Sequence, residues 1–189
     1  ATMLLAGIAI GALAGAISGL LIYMSDDKQL RDLTFWGLGS LAGATWTKVM
    51  GAGPLMLISI GIASTLGRGL NGLSLGEATA AHIGISTQRL KNISICTVAA
   101  ATGAAVAVSG SIGFIGIIVP HLLRKMIGPD HRTLIINSGF LGAIILIFSD
   151  IISRVITAPS ELPIGIVTAI LGSPVFLWIL LRKRNASIW

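Results

Sequence analysis

Charge is what this sequence has least of. Asp, Glu, Lys and Arg make up 11% of its 189 residues, where a water-soluble domain carries about 25%. A soluble fold covers its surface mainly with those four residue types, so the shortfall argues against a soluble enzyme. Cysteine is nearly absent as well. Cys96 stands alone inside an apolar run, which excludes an intrachain disulfide and makes it a small packing residue. Motifs that announce chemistry are also missing. No GxxxxGK[ST] run occurs, so the chain has no Walker A site for ATP, and neither a GxSxG elbow nor an HExxH pair is present. His121 and His131 have Asp130 as their only acidic neighbour, too few convergent ligands for a metal. Neither a catalytic residue, a metal ligand nor a cofactor is expected.

What the chain does have is apolar surface: 54% hydrophobic residues and 24 glycines, with a mean hydropathy of +0.92. Such hydrophobicity excludes disorder, and the glycines keep no three-residue period, which excludes a collagen-like chain. Thirteen cations against seven acids leave a net charge of +6. They punctuate long uncharged stretches instead of forming one patch, so nucleic acid is not a partner. The composition predicts an all-α, polytopic membrane helix bundle in contact with lipid, its glycines suited to close helix packing. The chain opens at Ala1 inside an apolar stretch, without an initiator Met, and so reads as a fragment or a processed chain.

The gaps between charges set the spans, since a helix needs roughly 20 residues to cross the hydrocarbon. Residues 92–123 are too many for one crossing and have cations at both ends: Arg89 and Lys91 before, Arg124 and Lys125 after. They predict a hairpin with its apex near Ser109-Gly110-Ser111. Six crossings result, at about 2–24, 49–67, 91–108, 111–127, 133–153 and 162–181, in a single transmembrane domain over 1–189. Taking Arg182-Lys183-Arg184 as an inside marker places Arg68, Arg89, Lys91, Arg124, Lys125 and Arg132 inside, with Glu77 and Asp130. Outside fall Lys28, Arg31, Lys48 and Arg154, with Asp26, Asp27, Asp32, Asp150 and Glu161. Cations therefore favour one side, which is read as cytoplasmic and carries the C-terminus. Residues 33–47 are uncharged and aromatic-rich but too short to cross; they read as a re-entrant or interfacial segment.

Three features stand out within this frame. Gly7, Gly11, Gly15 and Gly19 form a nearly straight stripe on the first helix, which serves either plain helix packing or the border of a conduit. The inside segment 68–90 contains GLSLGEATAAHIGIS, with Glu77 in a first helical turn where the dipole favours an anion. It is either a solvated loop or a docking element for a cytoplasmic partner. Asp150 and Arg154 are spaced to pair on one helix face. The acids all lie near the assigned membrane surfaces, which weakens the reading as an ion-coupled secondary transporter and, with no nucleophile and base in view, that as an intramembrane hydrolase.

The runs GFIGIIVPHLLRKMIGPDHR (residues 113–132), SGFLGAIILIFSDIISR (138–154) and ELPIGIVTAILGSPVFLWILLR (161–182) follow in that order. Together they closely resemble the permease subunits of ABC importers for iron chelates, haem and vitamin B12, the FecCD family. At roughly 20 residues per crossing, the chain is similar to only the last six of that family's about ten membrane helices. The resemblance implies a type II ABC importer permease fold. It further implies a homodimer with cytoplasmic ATPase subunits, a periplasmic substrate-binding protein, and a place in the bacterial inner membrane. GLSLGEATAAHIGIS is similar to the family's coupling segment, which implies ATPase coupling for Leu73, Ser74, Leu75, Gly76, Glu77, Ala78, Ala81, His82 and Gly84. It implies binding-protein docking for Arg154, and a translocation path and gate at Thr2, Met3, Gly7, Gly11 and Gly15. The stretch 22–44 is more similar to haem permeases than to vitamin B12 permeases, which favours haem over a ferric siderophore or cobalamin.

Overall fold

The computed structural model describes residues 2–156 and 162–185, and among these the regular structure is helical throughout. The helices are α1 (Thr2–Tyr23), α2 (Asp27–Leu38), α3 (Trp46–Thr65), α4 (Gly67–Ser74), α5 (Glu77–His82), α6 (Thr87–Ser109), α7 (Ile115–Ile127), α8 (His131–Ile156) and α9 (Ile164–Asn185). The chain forms two compact units, Ala1–Gly37 and Leu38–Trp189. Glu161 lies outside the described residues, and Arg182, Lys183 and Arg184 are described only as backbone of α9.

In the first unit, α1 is an uncharged helix of 22 residues. Helix α2 starts among charged residues because Asp26 and Gln29 cap it reciprocally. The Gln29 N–H donates to Asp26 Oδ1 at 2.8 Å, and the Asp26 N–H donates to Gln29 Oε1 at 3.3 Å. The stretch 33–47 is consequently not one element. Its first part belongs to α2, the chain turns at Gly39 (φ 75°), and Thr45 caps α3 by accepting the Lys48 N–H.

In the second unit α3 packs along α6, and α7 packs along α8, with α9 against both α7 and α8. Val119 and Leu123 of α7 and Leu134 of α8 form the buried core, flanked by Ile115, Leu141 and Ile145. Lipid is as apolar as these side chains, so the pairs are held by close packing and not by expulsion of water. Large apolar residues such as Leu57, Phe140 and Phe148 stay exposed.

Among the described residues four helices, α1, α3, α6 and α8, are long and apolar enough to cross a membrane. The hairpin's second arm is shorter than its charge gap: residues 110–114 are non-helical and α7 has 13 residues, about 20 Å of helix against about 30 Å of hydrocarbon. Hydropathy cannot register that loss, because the non-helical stretch is as uncharged as the first turns of the helix. Gly110 (φ 71°) makes the reversal, and Phe114 enters α7 with φ 67°, which costs a bulky side chain energy.

Candidate functional site

The segment 68–90 folds into two short helices at one end of the second unit. Leu73 and Ser74 close α4, Leu75 is its C-terminal cap, and Gly76 (φ 104°) makes the corner into α5. Glu77, Ala78, Ala81 and His82 lie on α5 and are exposed, while Ala80 beneath them is fully buried. Gly84 ends α5 in the left-handed region (φ 81°). The Gly84 N–H donates to the Ala81 carbonyl and the Ile85 N–H to that of Ala80, both at 3.0 Å. This double closure requires a residue free to adopt positive φ. Glu77 forms an ion pair with Lys91 of α6, which anchors α5 sideways. Leu75 and Ile83 stand exposed on either side of α5, so the segment presents apolar knobs around an acidic first turn. Nothing in lipid packing calls for that surface.

Helix α4 is seated more deeply than α5. A Cβ on Gly67 would come within 2.9 Å of Arg132 Cα, one on Gly69 within 2.8 Å of Leu90, and one on Gly72 within 2.2 Å of Ile85 Cδ1. Three glycines thus let α4 sink between α8, α6 and the turn after α5. Asn71 bonds across to the α7–α8 turn. Its Nδ2 donates to Asp130 Oδ1 at 2.6 Å, and its Oδ1 accepts the His131 backbone N–H at 2.8 Å. The Arg132 N–H also donates to Asp130 Oδ1, at 3.0 Å. The Asn71 amide, followed by the Arg132 N–H, holds the Asp130 carboxyl below its ordinary value of 3.8. His131 Nδ1 lies 2.8 Å from Asn71 Oδ1, and its Nε2 lies 3.4 Å from Arg124. Both histidine nitrogens thus face protein groups.

At the opposite end of the unit, backbone meets backbone. The Ser40 N–H donates to the Ser109 carbonyl at 2.8 Å. A Cβ on Gly39 would lie 2.8 Å from the Ser111 oxygen, and one on Gly165 only 2.0 Å from the Leu38 oxygen. The turns at 38–40, 109–112 and 162–165 therefore meet. Arg154 belongs to α8, where its Nε donates to Asp150 Oδ2 at 2.9 Å while half of its side chain stays exposed. Gly7, Gly11 and Gly15 lie along α1, with Thr2 and Met3 on its first turn. Among the described residues of its own unit, nothing lies within 4 Å of a Cβ placed on the stripe.

The residues that seat the segment escape sequence reasoning. Asn71 and Asp130 are 59 positions apart, and only the fold brings them together. The GRGLNG run at 67–72 does carry a signal, three glycines closely spaced inside a helix that glycine otherwise weakens.

Comparison with known proteins places this arrangement. The chain is 46% identical over 185 residues to the hemin transport system permease protein of Yersinia pestis, covering 98% of this chain and 55% of that protein. It is 40% identical over 189 residues to the vitamin B12 import system permease protein of Vibrio cholerae, covering 98% of this chain and 56% of that one. The chain thus spans about half the length of the curated relatives it matches. A solved structure described as an inward-facing conformation of a metal-chelate type ABC transporter superposes with a TM-score of 0.87 at 33% identity. That match covers 93% of this chain and 57% of the other. The FecCD transport family matches residues 1–182, and the chain belongs to that family.

Proposed function

We propose that this chain is the membrane-spanning part of an ABC importer permease that carries an iron-containing chelate, haem in the first place, across the bacterial inner membrane. The identity of 46% to a hemin permease over 98% of the chain carries the reading. A vitamin B12 cargo is the second reading, favoured by the 40% identity to a permease of that kind. ATP is hydrolysed on separate cytoplasmic subunits. The basic end, with Arg68, Arg89, Lys91, Arg124, Lys125 and Arg132, faces the cytoplasm, a reading supported by the bias of Lys and Arg to that side. The α4–α5 segment sits in a groove of the ATPase, with Leu75 and Ile83 as apolar contacts and Glu77 as the charged one. Two copies of the permease enclose one path, bordered by α1, and a periplasmic binding protein docks at the end that carries Arg154. Closure of the ATPase dimer displaces the segments and changes which end of the path is open. Helices α1, α3 and α6 carry no carboxylate and α8 carries only Asp150, six residues from its end, which supports an energy source outside the membrane chain.

The test is uptake into vesicles holding the full-length permease, its ATPase and a candidate binding protein, offered haem, a ferric siderophore and cobalamin in turn. ATP-dependent accumulation of haem above the others is the expected result. Preference for cobalamin selects the second reading. Uptake driven by a proton or sodium gradient without nucleotide overturns both.

A further inference from the structure

We propose that Asn71 is a positioning residue that ties the coupling segment to the start of α8, so that α4 and α8 move as one body. The first N–H groups of a helix have no partner within it. At α8 two of them are met by side chains of different origin. Asp130, just before the helix, accepts the Arg132 N–H, while Asn71 accepts the His131 N–H from sixty residues away. The same Asn71 amide donates to Asp130 at 2.6 Å, so one planar group holds both the turn and the first residue of α8. Gly67 adds a steric stop. Its α carbon faces the Arg132 backbone with no room for even a Cβ, so α4 cannot roll or slide on α8 without opening this contact. Helix α5 is held differently, through Glu77 to Lys91 on α6, and is divided from α4 by the Gly76 corner. A displacement of α4 therefore reaches α8 directly, and one confined to α5 reaches α6. The tether is geometric. Its use in transport rests on the import reading above.

The experiment uses the full-length permease with its ATPase and binding protein in lipid vesicles. It compares wild type, Asn71→Ala, Asn71→Asp, and the exchange Asn71→Asp with Asp130→Asn, which keeps one amide donor facing one carboxylate. Two quantities are read: backbone hydrogen exchange of residues 129–135, and substrate imported per ATP hydrolysed. Losing the cap in Asn71→Ala, or setting a second carboxylate against Asp130 in Asn71→Asp, should speed exchange about fivefold. Import per ATP falls by a similar factor while the ATPase stays bound, and the exchanged pair recovers both. Unchanged exchange in Asn71→Ala overturns the tether. So does an exchanged pair no better than the singles, while faster exchange with wild-type import per ATP overturns the role of the tether in transport. Should Asn71→Ala fail to insert, Asn71→Asp gives the same test by setting a second carboxylate against Asp130. A wild-type assembly that hydrolyses ATP but imports none of the substrates overturns the import reading alone, and hydrogen exchange still decides the tether.

Discussion

At one end of the Leu38–Trp189 unit, Gly165 faces the Leu38 carbonyl and Ser40 bonds the Ser109 backbone. At the other end Asn71 bonds the α7–α8 turn with its side chain, and Glu77 pairs with Lys91. The first set of contacts is made of groups that cannot rotate away. The second sets, beside the Gly67–Arg132 backbone contact, side chains that can break and reform one at a time, each at a cost of about 1 kcal/mol. Where a membrane helix bundle must hold its shape, backbone packing through glycine suits it. Where it must pass movement to another protein, exchangeable polar links suit it better.

Substitutions can break this comparison in order of size. Gly165→Ala sets a methyl group 2.0 Å from a carbonyl oxygen, and should cost about 3 kcal/mol in thermal unfolding of the detergent-solubilised protein. A wild-type melting temperature would remove the claim that this end is locked by backbone. Gly72→Ala meets only side-chain carbons, the ends of Ile85 and Ile83, which can rotate, so the same assay should register about 1 kcal/mol. If Gly72→Ala proved the costlier of the two, the contrast between the ends would be reversed.

The next change should be visible in function more than in stability. Glu77→Lys removes an exposed ion pair worth less than about 1 kcal/mol, but reverses the charge on the surface proposed to meet the ATPase. Import per ATP should fall severalfold with the melting temperature almost unmoved; full import would take Glu77 out of the coupling surface. Acid should test the other link at the same end. Because the Asp130 carboxyl is held below its ordinary 3.8, its contribution is complete above that value and is lost as the pH falls through the lower folded one. Hydrogen exchange at residues 129–135 should therefore show no loss of protection between neutral pH and about pH 4, after correction for the intrinsic rate. Smallest is Arg154→Glu, which should leave stability within about 0.5 kcal/mol and weaken binding-protein docking mainly at low salt. Unaltered affinity at low salt would return Arg154 to a local partner of Asp150.

Charge spacing makes α1, α3, α6 and α8 legible, because a long uncharged run has few other uses. It fails at α7, where Gly110 to Phe114 leave the helix without changing the hydropathy. It also fails at α2, whose Asp26-x-x-Gln29 cap is a helix signal set among charges that read as a loop. The exposed turn-and-helix form of the segment is legible from GLSLGEATAAHIGIS, whose glycines at 76 and 84 occupy positive-φ corners. Its seat is not, because Asn71, Asp130 and Arg132 meet only after α7 and α8 have paired. Local pattern reports what one helix wants and says nothing of which distant turn completes its first hydrogen bonds.

Proline lies inside α3, α7 and α9, at Pro54, Pro120 and Pro174, whereas α8 has none in 26 residues. A proline makes a flexible joint, since the ring frees a carbonyl one turn back. Helix α8 is instead an unbroken shaft of about 39 Å, with the Asn71 tether at one end and Asp150 and Arg154 near the other. Twist applied at one end reaches the other with less loss than in the proline-jointed helices packed around it. The two faces of the membrane are in that sense connected by torsional stiffness.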